Sequence, residues 1–189
     1  MSELFCPEKL ETGRLILRRW KDSDLELYSA LNADPDVMEH FPSTLSLEDS
    51  EKSMGRIMAH FEKHHFGLWA VESKQASEFI GFIGLQNAPF EAHFTPCVEI
   101  GWRLSKQHWG YGYASEGARM ALRDGFERLQ LREIVAITTT ENERSMRVME
   151  KIGMTRNKDD DFDHPKIETG SRWCRHVLYR LQRQHWENS

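Results

Sequence analysis

Eight residues, Gln107-His108-Trp109-Gly110-Tyr111-Gly112-Tyr113-Ala114, join a strand-like run to a helix-like run. The strand-like run is Val98 to Leu104, and the helix-like run reaches Leu129. A strand, a glycine turn and a helix in direct succession limit the fold, because a helix that follows a strand so closely packs back on the sheet. The same succession builds an anion cradle: turn N–H groups point outward and the helix dipole favours a phosphate. Glycine also serves such turns merely by allowing positive φ, so the pair of glycines alone leaves the ligand open.

The rest of the chain reads as strands and helices around that turn. Leu15-Ile16-Leu17, within Leu10 to Arg18, predicts a first strand, and residues 1–9 a loosely held terminus. Ser23-Asp24-Leu25-Glu26 has capping-box spacing and predicts a helix through Leu31, broken at Asp34-Pro35. Ser46 opens a second helix to about His65, with Met54, Ile57, Met58 and Phe61 on one stripe. Leu68 to Glu72 and Phe79 to Leu85 read as strands, and residues 86–95 as a loop. The helix after the glycine turn carries Ala114, Ala118, Ala121, Leu122, Gly125, Phe126 and Leu129 on one stripe, small enough at first to approach a sheet closely. Ile134 to Thr138 is β-branched and strand-like, Thr140-Glu141-Asn142-Glu143 has capping-box spacing, and Gly153 ends the helix that follows. Met154 onward is extended, residues 158–171 form an acidic loop, and Arg175 to Leu181 is a last strand.

The predicted order is β-α-α-β-β-β-α-β-α-β-β, an α+β pattern over one domain, residues 1–189, with its core at about 10–182. Three consecutive central strands imply antiparallel hairpins, and the strand-helix-strand unit at 98–138 implies a parallel crossover. With 25 basic and 30 acidic side chains, a net charge of −5 argues against a broad nucleic-acid-binding face. No apolar run nears the length of a membrane helix. Met1-Ser2-Glu3-Leu4 lacks the basic and apolar stretches of a secretory signal. Cys6, Cys97 and Cys174 are odd in number and widely spaced, which predicts reduced thiols, a cytoplasmic location and no structural metal.

Two common phosphate motifs fail at the turn. No Lys follows Gly112 as a Walker A loop requires, and Ser115 stands where a dinucleotide fingerprint needs its third glycine. Gln107, Gly110 and Gly112 do match Gln-x-x-Gly-x-Gly/Ala, which resembles motif A of the GNAT superfamily of acetyl-CoA-dependent N-acetyltransferases. Val98-Glu99-Ile100-Gly101-Trp102 is similar to the strand before motif A. Asn142-x-x-Ser145 with Met149-Glu150-Lys151-Ile152-Gly153-Met154 is similar to the motif after it. Thr12-x-Arg14-Leu15-Ile16-Leu17-Arg18 resembles the first strand of the branch holding the ribosomal-protein alanine and serine N-acetyltransferases.

The resemblance implies a three-layer α/β/α sandwich around a mixed, mostly antiparallel twisted sheet of about seven strands, with a splayed central parallel pair. It implies acetyl-CoA as co-substrate, its pyrophosphate on the amides of Gly110, Tyr111, Gly112, Tyr113 and Ala114, with Gln107 opening the motif. The pantetheine arm would pair with the backbone of Trp102, Arg103 and Leu104, and Asn142 and Ser145 would contact it. Read as residues alone, Asn142 suits a helix cap and Ser145 a solvated helix position. The resemblance further implies that Glu99 is the base that takes a proton from the acceptor amine, and that the amine attacks the thioester directly. A tyrosine often serves as acid on the helix after the Asn motif. Here Met149 occupies its place, so either Ser145 substitutes for it or the thiolate leaves without protonation from the protein.

The resemblance implies a primary amine as acceptor, of a protein N-terminus or of a small molecule. Residues 32–66, 86–96 and 156–175 are the segments that would choose it. Asp159-Asp160-Asp161-Phe162-Asp163-His164 within the last reads either as a lure for a cationic amine or as a solvated loop, while Phe162 and His164 among the acids suggest a packed one. Trp69, Trp102, Trp109 and Phe41 are candidates to line the acceptor pocket, with ordinary core packing the alternative for each tryptophan. His64-His65 reads as a helix end rather than a metal site. A monomer or a homodimer is compatible with the chain. A non-catalytic acyl-CoA sensor and a nucleotide-binding protein using the same turn are the competing readings.

Overall fold

The computed structural model describes residues 6–188; most of the expected loose terminus, residues 1–5, lies outside them. Nine strands form one sheet in the order β1-β2-β3-β4-β5-β6-β9-β7, with β8 paired to β9. They are β1 Lys9–Glu11, β2 Leu15–Arg18, β3 Leu68–Ser73, β4 Glu78–Asn87, β5 Val98–Leu104, β6 Glu133–Thr139, β7 Thr155–Arg156, β8 Phe162–Asp163 and β9 Arg175–Gln182. Every pairing is antiparallel except β5–β6. The two strands beyond the expected seven are short. Thr12 to Arg14 turns the first strand into a β1–β2 hairpin, and β8 is cut from the acidic loop.

Helices α1 (Leu25–Ala33) and α3 (Tyr113–Arg123) cover opposite faces of β4. Successive strand side chains point to opposite faces. Phe82 meets Tyr28 of α1, with ring centroids 6.1 Å apart. Its neighbour Ile83 lies against α3, where a Cβ on Gly117 would come within 2.5 Å of Ile83 Cδ1. Gly117 and Gly125 thus let the small-residue stripe sit directly on the sheet. Helix α2 (Leu47–His64) packs beside α1, joined by Asn32–Ser50 and Tyr28–Ser53 hydrogen bonds. Helix α4 is Glu143–Lys151, and a terminal α5, Arg183–Glu187, follows β9. No helix among the described residues is long and apolar enough to cross a membrane.

The helix starts show how local chemistry settled. Ser46 caps α2 as expected, accepting from the Asp49 N–H at 3.1 Å. Ser23 caps nothing. Residues Asp22–Asp24 form a 3-10 turn, and the Asp24 carboxylate instead binds Arg18 at 2.8 Å and the Lys21 N–H at 2.9 Å. A bidentate guanidinium is the stronger partner for a buried carboxylate. The expected box at Thr140 and Glu143 likewise yields to Asn142 as N-cap. The helix predicted as far as Leu129 is α-helical only to Arg123; a π-turn over Asp124–Arg128 finishes it.

Candidate active site

The parallel pair is held at a single rung, Glu99 opposite Val135. β5 continues to Leu104 paired with β4 on its other side, and β6 continues paired with β9. Beyond Glu99 the two central strands therefore diverge, and the β6-facing edge of β5 past that rung is left without a ladder partner. Backbone amides need partners. An extended molecule carrying amides of its own would supply them along Trp102, Arg103 and Leu104.

The glycine turn lies at the end of that edge. Gln107 sits exposed in a 3-10 turn, Lys106–His108. Gly110 and Gly112 both have φ of +81°, a left-handed conformation that side chains disfavour. A Cβ on Gly110 would meet nothing within 4 Å, so the cradle is open. Tyr113 begins α3 with its own ring buried, and Ala114 is partly buried. Uncapped N–H groups at this helix start suit a pyrophosphate.

Two arginines brace the turn, and only one stood in a motif. Arg14 donates from Nη1 to the Tyr111 carbonyl at 3.0 Å, pairs with Glu116 and lies 4.7 Å from the Tyr113 ring centre. Arg144 of α4 lies over the Trp109 ring at 4.4 Å, while Trp109 Nε1 donates to the Leu104 carbonyl at 2.8 Å. Arg144 gave no sequence signal, because its partner lies 35 positions back along the chain.

Glu99 is partly buried at the point of divergence. Burial pushes its carboxyl up to about 7, against a weak opposing hydrogen bond from Gln86 at 3.5 Å. A carboxylate titrating there accepts a proton near neutrality. Its neighbour Cys97 is pushed up to about 11, by burial first and by the Glu99 charge second.

Asn142 Oδ1 accepts from the Ser145 N–H at 3.1 Å, and its Nδ2 donates to Thr138 Oγ1 at 2.9 Å. It is a helix cap, as its residue type suggested. One lone pair of Oδ1 and one hydrogen of Nδ2 remain available. Ser145 stands in the first turn of α4, and its hydroxyl has no partner among the described residues. Met149 is only 1% exposed and belongs to the core, so α4 offers no polar group there. Tyr179 donates to Glu150, and Tyr28 bonds Ser53.

The acidic loop is partly packed and partly solvated: Asp159, Asp163, Lys166 and Glu168 are exposed, while Phe162 is buried. Asp160 binds Arg180 at 3.0 Å, Asp163 binds Arg175 at 3.2 Å, and Asp161 pairs with Arg156. Phe162 is buried, 4.8 Å from the Phe94 ring and stacked on Phe90 at 6.1 Å. Loops 88–97 and 158–174 so form one aromatic wall with His164 and His176, whose burial lowers both imidazoles. Trp69 is not a pocket residue; it is 2% exposed and packs on Phe61. Phe41, 40% exposed, does lie near β5, over Arg103. His65 is the left-handed C-cap of α2, and no group of three or more metal-ligating side chains occurs among the described residues.

The comparisons with known proteins agree with this geometry. The model of the acetyltransferase (GNAT) domain matches residues 14–155. The chain is 34% identical over 151 residues to the uncharacterized protein YkkB of Bacillus subtilis, covering 79% of this chain and 87% of that one. It is 32% identical over 193 residues to the FsC-acetyl coenzyme A-N(2)-transacetylase of Aspergillus fumigatus, covering 94% and 77%. A crystal structure of a GNAT-family acetyltransferase from Bacillus anthracis superposes with a TM-score of 0.77 at 29% identity, covering 93% of this chain and 99% of that one. A divergent parallel pair, an open glycine cradle and an intact family match over most of the chain lead to one assignment: this protein belongs to the GNAT acetyltransferases.

Proposed function

We propose that the protein transfers an acetyl group from acetyl-CoA to a primary amine that attacks the thioester directly, with Glu99 as the base. The observation that carries this reading is the position of Glu99. It is a carboxylate titrating near neutrality at the one rung from which the parallel strands diverge. Family membership supports acetyl-CoA, and the Aspergillus fumigatus relative is named for transfer to a nitrogen.

Bound coenzyme supplies an activated acetyl thioester. The turn amides from Gly110 to Ala114 hold the pyrophosphate, and the free edge of Trp102, Arg103 and Leu104 aligns the arm. Asn142 fixes the first turn of α4 and retains bonding capacity toward the arm, with Ser145 beside it. An acceptor amine arrives protonated, since an α-amino group has a pKa of about 7.7–8.0 and a lysine about 10.4. Glu99 takes that proton, directly or through a water. With Met149 buried, Ser145 is the group that hydrogen-bonds the departing thiolate, which takes up the second proton that the attacking nitrogen sheds as the amide forms.

The acceptor is either a protein N-terminus, as in the ribosomal-protein branch, or a small amine. Three free cysteines suit a reducing compartment such as the cytoplasm. Mixing the protein with acetyl-CoA and a panel of peptides and small amines tests the proposal. Free thiol appearing with some amine and falling about 100-fold in a Glu99→Gln variant is the expected outcome. No thiol from any amine, with the protein folded, overturns it.

A further inference from the structure

Among the described residues, Arg103 Nε is the one buried side-chain nitrogen or oxygen atom with no hydrogen-bond partner. Its side chain leaves β5 on the same face as Glu99, four residues along, with Gly101 between them. A Cβ on Gly101 would meet only Leu68 Cδ2, at 3.9 Å, so the space above it is open. The guanidinium lies between two aromatic rings, 4.3 Å from the centre of Phe41 and 5.3 Å from that of Phe82. Its one hydrogen bond is neutral, Nη1 to Asn32 Oδ1 at 2.6 Å. Nε is buried with no partner.

No salt bridge joins it to a carboxylate of the described residues. Nearby acids are taken. Asp36 binds Lys106 at 2.5 Å, and Glu39 binds Arg144 at 2.6 Å. A partly buried cation without a counter-ion is costly, and burial presses this guanidinium below its usual range. If its only task were to anchor the α1–α2 loop through Phe41, an uncharged side chain would do so at less cost. Arginine with a free donor suits a planar anion.

We infer that Arg103 recognises an anionic group, a carboxylate in the first instance, on the acceptor amine. This rests on the acetyl-transfer reading of the same site. The acceptor is then zwitterionic. Its amine lies over Gly101 near Glu99, and its anion lies about two strand residues away, roughly 7 Å. A polycation such as a polyamine is disfavoured, because it would bring like charge to a desolvated guanidinium.

The test uses ω-amino acids of graded length, each with its own amide and methyl ester, and measures kcat/KM with acetyl-CoA. The acid should exceed its amide at least tenfold in the wild type at the matching length. In Arg103→Gln the acid-to-amide ratio should fall toward one, and Arg103→Lys should restore part of it. An acid-to-amide ratio of one in the wild type overturns the inference, as does a ratio unchanged by Arg103→Gln. A second readout is independent of turnover. A carboxylate of the matching length with a quaternary ammonium in place of the amine is titrated calorimetrically into the CoA-bound protein. Binding that exceeds its amide and is lost in folded Arg103→Gln supports the anion site even if no acceptor is acetylated. Binding equal to the amide, or none, overturns it even if acetyl transfer is observed.

Discussion

Glu99 shows what one residue owes to its neighbours. An ordinary glutamate would be ionised throughout the physiological range and would be a poor base. Partial burial at the divergence point holds its proton up to about 7. Two outcomes follow. Acetyl transfer should rise with pH through about 7 as Glu99 ionises, and this limb should vanish in Glu99→Gln; a pH profile of kcat/KM measures it. Stability should move the other way. The folded protein keeps a proton on Glu99 that the unfolded chain loses near 4.5. Stability therefore falls as pH rises from about 4.5 to 7, by up to about 3 kcal/mol. Urea denaturation of wild type and Glu99→Gln at pH 5 and pH 8 should show the variant gaining relative stability at the higher pH. The residue type and its strand were legible in the sequence. The desolvation was not, since it depends on how β4, β5 and β6 meet.

At the scale of the element, the glycine turn and the sheet use glycine for different reasons. Gly110 is in a left-handed conformation with an open cradle beside it. Gly110→Ala should cost about 1 kcal/mol of stability through backbone strain and weaken coenzyme A binding more than that, since the methyl enters the cradle. Calorimetric titration of coenzyme A beside a melting curve separates the two effects. Gly84 has no such φ, yet a Cβ there would stand 2.2 Å from the Gly67 carbonyl oxygen and 2.8 Å from Leu68 Cα. The clash is with backbone, so Gly84→Ala should destabilise by about 3 kcal/mol or more, read as a loss of urea midpoint. The sequence marks both as glycines inside or beside strands. It does not say which is there for torsion and which for closeness. Helix starts were legible where one residue decides, as at Ser46, and misread where a remote arginine claims the cap, as at Asp24.

Across the whole molecule, the proposed acceptor side is assembled from segments far apart in the chain. Phe90 and Phe94 from one loop close on Phe162 from another, and Arg180 of β9 neutralises Asp160 beneath them. Phe162→Ala should cost about 3 kcal/mol and raise the acceptor KM more than that of acetyl-CoA, measured by denaturation and steady-state kinetics. The mixture of aspartates with Phe162 and His164 hinted at a packed loop. Only the folded chain shows that Asp160 and Asp161 have arginine partners, 20 and 5 positions away.

The chain by itself determined the glycine turn and the strand before it, because one continuous strand-turn-helix is set by local spacing. The free edge of β5 and the brace from Arg144 were not legible there, since they depend on where β6 and α4 lie. The tertiary structure decided the surroundings of the proposed acceptor site. Burial of Glu99, placement of Arg103 between Phe41 and Phe82, and pairing of Asp160 and Asp161 with arginines all arise from contacts that the folded chain makes. Charge and dielectric depend on which side chains end up as neighbours, and a linear sequence does not order residues by that distance.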